Sequence, residues 1–115
     1  MRKIERSAVY VVKMAGDDKY ASLALDAHMH TNGDLRYWDT IHPHQLVGEL
    51  KEVTDDGFIF TMVDYRPGDW HFKILTIEDF RRTYYKLVQG GEAMAAKIRT
   101  TDDLHFWYRT NYVNF

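Results

Sequence analysis

At 115 residues the chain is long enough for one domain, residues 1–115, and too short for two. It has no cysteine, which excludes thiol catalysis, iron–sulfur clusters, thiolate zinc sites and disulfides. Fifteen Lys and Arg against seventeen Asp and Glu leave a net charge of -2, a balance that disfavours nucleic-acid binding, and no apolar run nears the roughly 20 residues of a membrane span. Aromatic residues make up 15% of the chain, enough to build a core, so the expectation is a folded cytoplasmic protein.

In chain order, Ala8 to Met14 reads as a strand rich in Val and Tyr, and Ala15-Gly16-Asp17-Asp18 reads as a turn. Tyr20 to His30 alternates. Ala21, Leu23, Leu25, Ala27 and Met29 are expected on one face, with Ser22, Ala24, Asp26, His28 and His30 on the other. Asn32-Gly33 is a strong hairpin signal, because both turn residues take positive φ, and Leu35 to Ile41 should return antiparallel. The segments Gln45–Val53 and Phe58–Tyr65 form a second hairpin around Asp56-Gly57. Arg66-Pro67-Gly68-Asp69 turns into a short strand over Trp70–Leu75.

Thr76-Ile77-Glu78-Asp79 has the form of a helix N-cap with acids in the first turn. Ile77, Phe80, Tyr84, Leu87 and Val88 then recur at helical spacing, and Gly90-Gly91 closes the helix. Glu92–Arg99 reads as a shorter second helix. Leu104–Phe115, rich in aromatics and poor in helix formers, reads as a final strand. The expected fold is α+β: an antiparallel meander of five or six strands, open or curled into a partial barrel. A C-terminal helical segment covers it, and one more strand follows.

Two places carry candidate chemistry. With Asn32-Gly33 as a two-residue turn, Asp26 faces Asp39, His28 faces Tyr37 and His30 faces Leu35. One sheet face would then gather Asp26, His28, His30 and Asp39, a donor set able to hold one divalent transition metal. The competing reading is a solvated hairpin face, and a register slip of one residue would dissolve the cluster.

The second pair, His42-Pro43-His44 with Glu49, resembles the first motif of the cupin family, and Pro67-Gly68-Asp69-Trp70-His71 resembles part of the second. The resemblance spans about 35 residues and implies His42, His44, Glu49 and His71 as metal ligands. The glycine that precedes the pair in cupins is Arg36 here. Strands that should follow are replaced by the helix at Thr76, so the match is read as coincidence of spacing.

No serine sits in a nucleophile elbow and no glycine-rich phosphate loop opens a helix. The leading expectation is therefore a protein-binding module of the inhibitor, antagonist or accessory-subunit type, without catalysis or cofactor. It would contact another protein, or a copy of itself, through Arg82, Tyr85, Trp107 and Tyr108. The alternative is a small metal-dependent protein built on the His-x-His hairpin. A pocket inside a curled sheet is a third possibility that the sequence leaves without named residues.

Overall fold

β1 (Val9–Lys13) carries Val9, Tyr10, Val11 and Val12 in succession, an unbroken apolar run that suits a strand covered on both faces. In the computed structural model, which describes residues 4–5, 8–39, 43–88 and 91–108, all four are buried. β1 is the middle of one seven-stranded antiparallel sheet. Its companions are β2 (Ser22–Met29), β3 (Leu35–Trp38), β4 (Pro43–Leu46), β5 (Gly48–Val53), β6 (Gly57–Met62) and β7 (Gly68–Ile74), in the order β4-β3-β2-β1-β7-β6-β5.

That order puts β4 and β5 at opposite edges, although only Val47 separates them in the chain. The sheet therefore curls until both edges meet on one bent ribbon. Residues 43–46 pair with β3 and residues 48–53 pair with β6. At the bend the Val63 N–H donates to the Val47 carbonyl at 2.9 Å. Gly48 is required there, since a Cβ would stand 2.0 Å from the Thr61 carbonyl oxygen. The extra strand relative to the sequence reading arises here: Gln45–Val53 alternates as one strand, but it serves two partners.

The concave face is filled by Tyr10, Tyr37, Phe58, Phe60, Trp70 and Phe72. Phe58 and Phe72 stack at 4.4 Å, and Tyr10 meets Phe58 edge-on at 5.2 Å. The convex face presents Val9, Val11, Leu23, Leu25 and Leu75 to the helical layer. That layer comprises α1 (Ile77–Arg82), a 3-10 turn (Tyr84–Leu87), α2 (Gly91–Ala95) and α3 (Thr101–Tyr108).

Thr76 caps α1 as expected, its hydroxyl accepting the Asp79 N–H at 3.1 Å. The apolar stripe Ile77, Phe80, Tyr84, Leu87 and Val88 does face the core, but the helix breaks at Thr83 into the tighter turn. The expected final strand is corrected: residues 104–108 belong to α3, and residues 109–115 lie outside the described residues. A reciprocal cap decides this. The Thr100 hydroxyl accepts from the Asp103 N–H at 3.0 Å, and the Asp103 carboxylate accepts from the Thr100 N–H at 3.2 Å. Once nucleated, the helix buries Leu104 against the sheet, and tertiary burial overrides the weak helix propensity of its aromatics.

Phe80 has no exposed surface and joins the helical layer to the sheet. Phe80→Ala should therefore cost about 3–5 kcal/mol in urea unfolding. A loss under about 0.5 kcal/mol, typical of surface positions, would place this face of α1 in solvent.

Candidate functional site

The β2–β3 hairpin sets the geometry of most of the candidate residues. The His30 N–H donates to the Asp34 carbonyl at 2.7 Å and the Gly33 N–H donates to the His30 carbonyl at 2.9 Å. The loop is thus Thr31-Asn32-Gly33, three residues with Gly33 at φ 93°, and not the two-residue Asn32-Gly33 turn expected from sequence. Asn32 closes it by accepting the Asp34 N–H at 3.0 Å. Met29 then faces Leu35 and His28 faces Arg36.

A second departure follows. Asp26 takes φ 55°, and the register gains one residue between Leu25 and His28. This is a β-bulge, which reverses the alternation beyond it. Leu23 and Leu25 pack under the helices, whereas Ala27 and Met29 pack into the concave core. The single-face pattern expected for Ala21 to Met29 is corrected accordingly.

The proposed metal donors consequently separate. The Asp26 carboxylate accepts from His105 Nε2 of α3 at 2.8 Å, a pair with side chains only 7% and 14% exposed. The Asp26 carbonyl accepts from His28 Nδ1 at 2.8 Å. Asp39 does not face Asp26. It accepts from His44 Nε2 at 2.9 Å, beside Tyr37, on which the His44 ring stacks at 5.0 Å. His30 lies at the hairpin end, its Nδ1 3.4 Å from Thr31 Oγ1.

Among the described residues, no three His, Asp or Glu side chains are grouped to hold a metal ion. Of the cupin-like residues, His42 lies outside the described residues and Glu49 is exposed on β5 opposite Thr61.

The mouth of the concave face holds a depression of about 450 Å³ lined by Ser22, Tyr37, Asp39, His44, Tyr65 and Trp70. Burial, with the nearby Asp39 charge adding, pushes the Tyr37 hydroxyl pKa upward. His44–Asp39 has the chemistry of an oriented base. Ser22 lines the same depression, and among the described residues no hydrogen bond joins it to His44.

The four expected partner-binding residues fall in two places. Arg82 and Tyr85 line a groove of about 340 Å³ with Arg81 and Glu92, bounded by Ala95 and Ala96. Arg82 is exposed and pairs with Asp79 at 2.8 Å. Tyr85 is half-buried against the helical core, with the Lys86 ammonium 6.0 Å from its ring centre. Trp107 packs partly into the core, while its neighbour Phe106 is 70% exposed. The side chain of Tyr108 lies outside the described residues. Sequence reasoning missed Arg81, Arg36 and His105. Arg81 was legible as part of the Arg81-Arg82 pair, whereas the other two depend on register and on a contact 79 residues apart.

Two predictions follow from this geometry. Gly33→Val should destabilise the protein, because a β-branched residue resists the positive φ of the loop. Unchanged stability would misplace the turn. Asp26→Ala should cost on the order of 1.5–3 kcal/mol through the lost charged hydrogen bond, plus backbone strain at the bulge. A double-mutant cycle with His105→Ala separates the two and should return a coupling above about 0.5 kcal/mol. Additive losses would show that α3 is held without this pair.

No protein-family model, curated protein or solved structure matches this chain.

Proposed function

We propose that the protein is a cytoplasmic protein-binding module, acting without catalysis, and that its partner presents an acidic segment to the helical layer. The observation that carries this reading is the groove in which Arg81, Arg82 and Tyr85 come together over Ala95 and Ala96. Arginine and tyrosine are the residues that most often anchor interfaces. The two alanines leave room for an extended segment to approach closely.

Charge complementarity selects the occupant. Two guanidiniums outnumber the one carboxylate, Glu92, that lines the groove. The Arg82–Asp79 pair is exposed, and such pairs contribute little, so Arg82 can exchange Asp79 for a partner carboxylate at small cost. Tyr85 supplies a rigid half-buried wall that needs little ordering on binding.

The experiment is fluorescence anisotropy of a labelled glutamate-rich peptide. Binding should weaken with added salt. The double variant Arg81→Ala, Arg82→Ala should lose about thirtyfold in affinity, the loss typical of a central anchor. The control variant Lys19→Ala, Lys51→Ala removes the same charge elsewhere and should bind nearly as the parent does. Equal losses in both variants would reduce the effect to net charge, and the absence of binding by the parent protein would overturn the reading.

A further inference from the structure

We infer that the outer face of β2, β3 and β4 holds a second binding site, for a small oxyanion attached to a flat ring: an aromatic carboxylate or an aryl phosphate. Two rows of side chains build it. Arg36 faces His28 on one side and Gln45 on the other, so the three project from one face in a row across three strands. Trp38 and Pro43 form the adjacent row. These five side chains line one pocket of about 400 Å³, within the range that accommodates small ligands.

The polar row is prepared for an anion. Arg36 Nε is buried and has no hydrogen-bond partner among the described residues. A buried N–H left unpaired is costly, and a guanidinium takes a carboxylate or phosphate through two parallel bonds. Asp34, on the same strand approach, is already held by Asn32 at 3.0 Å and by Gln45 at 2.7 Å. Gln45 thus directs one of its two amide N–H groups at Asp34 and bounds the site on the edge strand. His28 donates from Nδ1 to the Asp26 carbonyl, which fixes its ring as one part of the flat wall beside Arg36.

The apolar row calls for a ring. The His28 imidazole and the Trp38 indole lie nearly parallel, 25° apart with centres 6.3 Å distant. Pro43 lies across from Trp38 on the edge strand. A planar ligand can lie along this wall with its oxyanion beside Arg36. The site shares no residue with the Arg81–Arg82 groove, so the two proposals stand or fall separately.

The test is an NMR titration of the whole protein, following the Arg36 Nε–H and Trp38 indole N–H resonances. The probes are benzoate, phenyl phosphate and inorganic phosphate. At least one of the two aryl anions should shift both resonances saturably, and which one does so distinguishes a carboxylate site from a phosphate site. Inorganic phosphate should bind about tenfold more weakly or worse, lacking the ring. Arg36→Lys keeps the charge and the stem but loses the fork, and should weaken the aryl anion about tenfold or more. His28→Gln, a second variant, should weaken it as well. No saturable shift with either aryl anion up to about 10 mM would overturn the proposal, as would equal affinity for inorganic phosphate. So would unchanged binding in both variants.

Discussion

One extra residue in β2 governs the arrangement of the rest of the molecule. The bulge at Asp26 holds a non-glycine residue at positive φ, a conformation that aspartate tolerates better than most residues. It keeps the Asp26 carboxylate on the helical side with Leu25, and turns Ala27 and Met29 into the curled sheet. Through His105 it anchors α3, and through its carbonyl it orients His28. A buried carboxylate is costly to leave unpaired, so the bulge and the docking of α3 depend on one another.

The second constraint is closure. A seven-stranded sheet of short strands would expose two edges, and exposed edges invite pairing with other chains. Here both edges belong to the ribbon 43–53, bent at Val47 and Gly48. The curl leaves an interior packed with aromatic rings, with a depression at its mouth beside Tyr37, His44 and Trp70. Two further grooves open among the described residues, one on the outside of the sheet and one on the helices. The two grooves there are lined by arginine and aromatic side chains.

Much of this was legible in the chain itself. The unbroken apolar run of β1, the hairpin at residues 48–62 and the Thr76 cap follow from periodicity and capping chemistry. What escaped depends on single residues whose effect is non-local. Perfect alternation over Tyr20 to His30 hides a bulge, although an aspartate in mid-strand is the kind of residue that marks one. Three-residue and two-residue loops both use Asn-Gly, and the choice between them moves every pair by one position. The Thr100–Asp103 cap was present in the sequence but was outweighed by the aromatic content that follows it. His28 and Asp26 were recognisable as polar residues of interest. Arg36 and Trp38 join them only in the observed register, and His105 only through the tertiary fold.

The register of the β2–β3 hairpin is the claim on which the bulge, the separation of Asp26 from Asp39 and the Arg36 pocket all rest. Cross-strand NOEs on the isotopically labelled protein measure it directly. Contacts joining Met29 to Leu35, His28 to Arg36 and Leu25 to Trp38 are the predicted result. Contacts joining His30 to Leu35, His28 to Tyr37 and Asp26 to Asp39 would contradict it and restore the unbulged hairpin.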